Sequence, residues 1–254
     1  MNNPPAIPNT FRFFVAAVQI AQGYTTDADL IHQWVRVLRM RVGQELLLID
    51  SDRQLAHRVV LTAVDKQRVD WQVRTVDPVR GEPTLQVTLA VGVMRAERFE
   101  WLLQKATELG VSQIIPLKTE RSRSDGDVGL QKFERWGRIV REAAEQSERG
   151  RVPRICEPHS LARLCAQPQD TATFFLHEGE GTVPWRRCLP LAHAAVTLVS
   201  GPDGGFSEAE CAMMQACGWQ GVGLGRRILR AETAPLLGLS MALTYAGDYD
   251  GEVA

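Results

Sequence analysis

The sequence predicts an α/β protein in two parts, a small β-rich domain over residues 1–78 and a larger domain on a parallel sheet over residues 79–254. Three observations lead there. Short β-prone apolar runs fill the first third of the chain. The segment Asp77-Pro78-Val79-Arg80-Gly81-Glu82-Pro83 then breaks any regular element with two prolines and a glycine. After it, strand-like runs alternate with helical ones, the pattern of a parallel sheet covered by helices. A length of 254 residues suits two domains, and 44% apolar with 23% charged residues is the composition of a chain that buries a core.

The elements follow in order. Phe11–Val18 reads as a strand, and Asp29–Arg41 as a helix with Leu30, Ile31, Trp34, Val35 and Leu38 on one face. Strands are expected over Glu45–Asp50, Ala56–Val64 and Val69–Val76, which around one helix make a compact barrel or curled sheet. Beyond the linker, Leu85–Val91 is β-prone. Glu97–Leu109 carries Phe99, Leu102, Leu103, Ala106 and Leu109 at helical spacing, with Gly110 as its stop. Ile114–Leu117 is a short buried strand. A long helix places Phe133, Trp136, Val140, Ala143 and Ser147 at steps of three and four. Thr173–Leu176, Ala195–Ser200 and Gly221–Leu224 are further strands, and an apolar helix runs from about Pro235 to Tyr245.

Several function classes drop out. No apolar run approaches the roughly 18 residues of a membrane span. Met1-Asn2-Asn3-Pro4-Pro5 lacks the basic start and apolar stretch of a signal peptide, so a cytoplasmic protein is expected. The five cysteines are scattered without a Cys-x-x-Cys pair, and the five histidines without a His-x-x-x-His pair, so neither a disulfide framework nor a metal site is expected. Net charge is −1, which does not announce a polyanionic partner. Lysine occurs only at 66, 105, 118 and 132, and arginine supplies the rest of the basic residues. Arginine's planar fork suits phosphate and stacks on bases, although codon bias explains the same count.

Two late loops carry the chemistry. Val196–Ser200 ends in Gly201-Pro202-Asp203-Gly204-Gly205-Phe206, and Ser207 with Glu210 at capping-box spacing opens a helix. Glycines let backbone approach a ligand closely, and in an open parallel sheet ligands sit at the carboxyl ends of strands. The Gly-x-Gly-x-x-Gly spacing is absent and no Gly-Lys-Ser/Thr occurs, which removes the dinucleotide and nucleoside triphosphate fingerprints. The second loop is Leu224-Gly225-Arg226-Arg227-Ile228-Leu229-Arg230-Ala231-Glu232-Thr233-Ala234. Ile228 and Leu229 can sandwich a flat ring, with Arg230 and Glu232 placing opposite charges beside it. Taken alone, a surface ion pair near a helix start is the better account of that last pair.

Together these segments resemble the RsmE-type uridine-N3 methyltransferases of small-subunit ribosomal RNA, in the SPOUT superfamily. The resemblance rests on Gln104-Lys105-Ala106-Thr107-Glu108-Leu109-Gly110-Val111, Glu120-Arg121-Ser122, Glu142-Ala143-Ala144-Glu145-Gln146-Ser147, Gly201–Glu210 and Leu224–Ala234, which run in order through the second domain. Phe11-Arg12-Phe13-Phe14 and Arg36-Val37-Leu38-Arg39 look like the family's PUA-like RNA-binding domain. The chain departs from the family pattern at Asp203, where glutamate is usual, at Ala231, where threonine is usual, around Ile31-His32-Gln33-Trp34, where paired histidines are usual, and at Val93-Met94-Arg95, which lacks a lysine.

The resemblance implies a C-terminal trefoil knot that gathers the loop after Phe174-Phe175-Leu176 with the two loops above, and a homodimer. It implies S-adenosylmethionine as cofactor, held by Leu176, His177, Gly201, Pro202, Gly204, Gly205, Phe206, Leu224, Gly225, Ile228, Leu229, Arg230, Ala231, Thr233 and Ala234. Arg230 and Glu232 are the catalytic candidates, with Glu232 either a base or the carboxylate that orients Arg230. Ribosomal RNA, in the assembled small subunit, would meet Arg12, Arg36, Arg39, Arg121 and Arg123. Arg135, Arg138, Arg141, Arg149, Arg151 and Arg154 could also hold phosphates, but interleaved Glu134, Glu142, Glu145 and Glu148 fit a salt-bridged helix face as well. Another RNA such as tRNA, or a non-catalytic RNA-binding role, stays open beside this reading.

Overall fold

The structure, a computed structural model, describes residues 10–122, 128–167, 171–179, 181–188 and 194–250. The chain packs as two units. One takes the chain up to Glu82 together with Ala144–Val152; the other takes Pro83–Ala143 and the chain from Pro153 onward.

The first unit is a curled sheet around an aromatic core. Its strands are β1 (Arg12–Phe14), β2 (Tyr24–Thr25), β3 (Glu45–Asp50), β4 (Leu55–Val64) and β5 (Val69–Pro78), ordered β1-β3-β4-β5-β2. β1 runs parallel to β3 and the other pairs are antiparallel. Register shifts between Arg58 and Val59 and between Leu61 and Ala63 bend the β4–β5 ladder, as bulges do. Period-two alternation sends Leu46 and Leu48 into one cluster with Phe13, Trp34, Leu61 and Trp71, and turns Ile49 toward Phe14 and Ala144 on the other.

Two expectations for this unit are corrected. The strand read over Phe11–Val18 ends at Phe14, and α1 (Ala17–Gln22) begins within that range. Gly23, at φ 79°, closes α1 in the left-handed conformation that glycine tolerates. The helix read over Asp29–Arg41 is a short α2 (Ala28–Ile31) that widens to a π-helical stretch, His32–Val37. The Asp27 carboxylate caps it, accepting from the Asp29 and Leu30 amides at 2.9 and 3.1 Å. The wider turn carries Trp34, fully buried, between the rings of Phe13 and Trp71 at 5.1 and 5.9 Å.

Ala144–Val152 joins this unit through Glu82. The Glu82 carboxylate accepts from Arg149 Nη2 at 2.8 Å and Nε at 3.2 Å, and from the Gly150 amide at 2.8 Å. Arg149 is 4% exposed, so this linker carboxylate balances a buried charge.

The second unit is a parallel sheet. Its strands are β6 (Gln86–Gly92), β7 (Gln113–Lys118), β8 (Arg154–Ile155), β9 (His159–Ser160), β10 (Ala172–Leu176), β11 (Val183–Pro184), β12 (Ala195–Ser200) and β13 (Gln220–Gly223). The order is β11-β13-β10-β12-β6-β7-β8, with β9 also on β7, and every described pair is parallel. The helices are α3 (Ala96–Leu109), α4 (Leu130–Gln146), α5 (Leu161–Ala166), α6 (Glu208–Ala216) and α7 (Thr233–Tyr245).

Both sheet faces are covered, which is why β6 and β12 read as continuous apolar runs. On one face α7 packs against α3 and the central strands, and Phe99 of α3 meets the buried Trp136 of α4 at 4.5 Å. Gly238 lets α7 lie close to the sheet: a Cβ there would sit 3.3 Å from Leu176 and 3.4 Å from Leu198. On the other face Leu161, Leu164 and Met214 pack on Ala90, Ile115, Phe175 and Val199. Among the described residues no helix is long and apolar enough to cross a membrane.

Candidate active site

Three adjacent interior strands of the sheet, β13, β10 and β12, build the site. β10 and β12 are neighbours, and β13 adds beside β10, so the loops after Leu176, Ser200 and Gly223 leave the same edge of the sheet. That edge is the carboxyl end of the strands, where open parallel sheets bind ligands.

The loop after β12 is tightly determined. The Gly205 amide donates to the Pro202 carbonyl at 2.8 Å, and Gly205 adopts φ 68°. A Cβ on Gly201 would stand 3.0 Å from the Gly205 carbonyl carbon and 3.1 Å from its Cα. The end of β6 also presses on this loop: a Cβ on Gly92 would lie 2.4 Å from the Pro202 nitrogen. Phe206 turns inward onto Phe175, Met214 and Trp219 and anchors the loop's exit. The capping box then starts α6, with Ser207 Oγ accepting from the Glu210 amide at 3.2 Å and Glu210 Oε2 from the Ser207 amide at 3.0 Å.

Two segments far away in sequence hold the loop's tip. Arg98, in the first turn of α3, donates to Asp203 Oδ1 at 2.8 Å. Arg121, just past β7, donates to the Gly204 carbonyl at 2.8 Å. The turn carrying Arg121 is tied down as well, since the Glu120 amide donates to the second Glu210 oxygen at 2.8 Å. Ser122 Oγ accepts from the Thr119 amide at 3.0 Å and braces that turn from within.

The loop after β13 ends where α7 begins. The Arg230 carbonyl accepts from the Thr233 and Ala234 amides at 2.9 and 3.0 Å, and Pro235 falls in the first turn, where its missing N–H has no helical partner to lose. Glu232 is buried, with Oε1 3.8 Å from Arg98 Nε and 4.0 Å from Arg230 Nη1. Arg98 therefore links Asp203 in one loop to Glu232 in the other.

These loops enclose a cavity of about 300 Å³, at the lower end of the roughly 300–1,000 Å³ of small-molecule sites. Of the residues read as cofactor ligands, Leu176, His177, Gly201, Pro202, Gly204, Gly205, Phe206, Ile228, Leu229, Ala231 and Ala234 line it. Leu224 and Gly225 line a smaller cavity of about 50 Å³ that shares Leu176, His177, Glu178, Leu229 and Ala234 with the first. Arg230 and Thr233 line neither, and nor does Glu232. Ile228 stands at the rim, 86% exposed, so the shared apolar wall is made by Leu176, Leu229 and Ala234.

Sequence reasoning missed Glu178, Ser200, Asp203 and Arg121 as lining groups, and Arg98 as the link between the loops. Asp203 lay inside a loop already singled out, so a stricter reading of that loop would have included it. Nothing in the spacing of Arg98 pointed to Asp203, which follows it by 105 residues.

The arginines read as RNA contacts scatter. Arg36 and Arg39 are exposed on the first unit. Arg12 donates to the Glu148 carbonyl and carboxylate at 3.0 and 3.1 Å, with its side chain 15% exposed. Arg121 is in the cavity wall, and Arg123 lies outside the described residues. Arg135 forms a bidentate pair with Glu100 at 2.7 and 2.8 Å, and Arg149 is engaged by Glu82, so both are held by carboxylates other than the interleaved Glu134, Glu142, Glu145 and Glu148. Among the described residues no three His, Cys, Asp or Glu side chains gather as a metal site.

Comparison with known proteins agrees with this geometry. The sequence model of the RNA methyltransferase domain family matches residues 81–243. The ribosomal RNA small subunit methyltransferase E of Bacillus subtilis is 33% identical over 238 residues, which cover 90% of this chain and 92% of that protein. The crystal structure of a ribosomal RNA small subunit methyltransferase E from Neisseria gonorrhoeae, bound to S-adenosyl methionine, superposes with a TM-score of 0.84 at 28% identity, covering 93% of this chain and 98% of that one. A methyltransferase of Legionella pneumophila solved with bound cofactor SAM gives a TM-score of 0.83 at 29% identity, covering 93% of this chain and 98% of that one. The chain belongs to the ribosomal RNA small subunit methyltransferase E family, with its RNA methyltransferase domain spanning residues 81–243.

Proposed function

We propose that this protein is an S-adenosylmethionine-dependent methyltransferase acting on N3 of a uridine in small-subunit ribosomal RNA. One observation carries the reading: the glycine loop Gly201–Phe206 and the loop Leu224–Ala234 close on one cavity of about 300 Å³ at the carboxyl end of a parallel sheet. The residues present fit the cofactor. Leu176, Leu229 and Ala234 offer an apolar wall for the adenine, and glycine at 205, where a Cβ would meet nothing within 4 Å, leaves backbone open to its polar groups.

The cofactor, when bound, supplies a methyl group already activated on a sulfonium. The protein's own residues have to place uridine N3 in line with that methyl and favour loss of the N3 proton. Positioning of this kind supplies on the order of 7–11 kcal/mol in well-oriented systems. Arg230, with its side chain 73% exposed and next in sequence to Leu229 and Ala231 of the cavity lining, is the candidate to hold the uracil oxygens. Glu232 faces two guanidinium groups, an arrangement that suits a carboxylate orienting Arg230.

The same reading makes residues 1–78 a PUA-like RNA-binding domain with Arg12, Arg36 and Arg39 toward the RNA, and residues 79–254 a SPOUT domain with a trefoil knot. It has two copies working as a homodimer on the assembled small subunit, in the cytoplasm. The exposed Arg36 and Arg39, on and just after the π-helical stretch, support the first part, and the insertion of β12 and β13 between earlier strands supports the second.

Calorimetric titration with S-adenosylmethionine is the direct test, and absence of binding overturns the enzymatic reading. Mapping modified nucleosides in ribosomal RNA from a deletion strain tests the substrate: a 3-methyluridine should disappear from the small subunit. Full methyl transfer by both Glu232→Gln and Arg230→Ala would remove those two residues from the mechanism.

A further inference from the structure

The larger cavity is patterned in charge. Its lining carries one guanidinium, Arg121, and two carboxylates, Glu178 and Asp203. Arg98 already engages Asp203 at 2.8 Å. Among the described residues Arg121 makes no ion pair of its own; its Nη1 donates to the Gly204 carbonyl, and a guanidinium has further N–H donors in the same plane. A guanidinium in the wall of a small-molecule cavity, with donors to spare, suits an anionic oxygen pair such as a carboxylate.

Arg121 is also held in place. Its side chain lies along Gly204, where a Cβ would stand 3.3 Å from the Arg121 Cβ and Cδ. The backbone behind it is pinned by the bond from the Glu120 amide to Glu210 and by the Thr119–Ser122 turn. Arg121 is exposed, but an arginine fixed by its neighbours loses less freedom on meeting a ligand than a mobile one does.

We infer that Arg121 is a cofactor-binding residue whose guanidinium takes the α-carboxylate of the methionine moiety. The inference rests on the proposed binding of S-adenosylmethionine in this cavity. The charges match in kind: the ligand carries a carboxylate beside cationic groups, against one guanidinium in the wall and, with Asp203 engaged by Arg98, the carboxylate of Glu178. This places Arg121 with the cofactor instead of with the RNA phosphates, the role suggested by its position among other arginines in the sequence.

The test compares two ligands by calorimetry, S-adenosylmethionine and its decarboxylated form, which differ only in that carboxylate. Wild-type protein should bind S-adenosylmethionine roughly tenfold or more tightly than the decarboxylated form, the scale of one charge-assisted hydrogen-bonded contact. Arg121→Ala should abolish the preference, bringing S-adenosylmethionine down to the affinity of the decarboxylated ligand, and Arg121→Lys should restore part of it. A purely structural role, bracing the Gly204 carbonyl, would weaken both ligands by the same factor and overturns the inference. Equal binding of the two ligands by wild-type protein overturns it too. So does an Arg121→Ala protein with unchanged affinity for both ligands and weakened binding of ribosomal RNA, which assigns the residue to the RNA. Failure of wild-type protein to bind either ligand is a different result, since it removes the cofactor reading itself and this assignment with it.

Discussion

Arg98 donates to Asp203 at 2.8 Å across the mouth of the site, and the same guanidinium stands 3.8 Å from Glu232. One side chain in the first turn of α3 thus links the two loops that wall the cavity. Arg98 and Asp203 lie 105 residues apart in sequence and meet directly, side chain to side chain.

Arg98→Ala should weaken S-adenosylmethionine binding several-fold while leaving thermal stability nearly unchanged. The pair is 35% and 41% exposed, so solvent screens it and its own worth is about 0.2–1 kcal/mol. Asp203→Asn should behave like Arg98→Ala, and Asp203→Glu should retain binding. A double-mutant cycle between positions 98 and 203, read by calorimetry, measures the coupling; strictly additive effects would show that the link does nothing for the site.

Gly201→Ala should damage the site more than Gly205→Ala. The added Cβ at 201 meets backbone at 3.0 and 3.1 Å, which cannot rotate away, so the loop must deform at about 1–3 kcal/mol. At 205 the Cβ enters open space and only the φ of 68° is unfavourable, a cost of roughly 1–2 kcal/mol. Cofactor titration of the two variants should give the larger loss at 201; the reverse order would contradict the loop geometry.

Glu210→Ala should destabilise the protein by about 1–3 kcal/mol in urea unfolding, since it removes the capping box and the acceptor of the Glu120 amide together. Glu210→Gln keeps an acceptor oxygen and should lose less than half as much. Ser207→Ala, which removes only the cap, should fall near 1 kcal/mol.

Glu82→Ala should cost the protein about 2–4 kcal/mol, because Arg149 is 4% exposed and loses its bidentate carboxylate together with the bond to the Gly150 amide. Denaturant unfolding checks this. A loss below 0.5 kcal/mol would mean that the linker carboxylate is dispensable for joining Ala144–Val152 to the first unit.

The parallel sheet was legible because both of its faces are covered. Val87, Leu89, Val91, Val196, Leu198 and Val199 are apolar in sequence and buried in fact. α3 was legible from its apolar stripe and from Gly110, which closes it at φ 105°. The start of the chain was less so: Phe11–Val18 is β-prone throughout, yet the strand stops at Phe14 and the last two residues, Ala17 and Val18, open α1, which Gly23 closes. The short strands β2, β8, β9 and β11 have two residues each, too few for any periodicity to register.

By itself, the sequence determined the two loops that make the site and the helix starts beside them, because glycine conformation, proline and the Ser207–Glu210 capping box act over a few residues. The tertiary structure alone decided which charges meet there. Arg98 reaches Asp203 over 105 residues, Arg121 reaches Gly204 over 83, and Arg149 reaches Glu82 over 67. Such pairings depend on strand order in the sheet, and strand order is set by the packing of whole elements, which no local pattern of residues encodes.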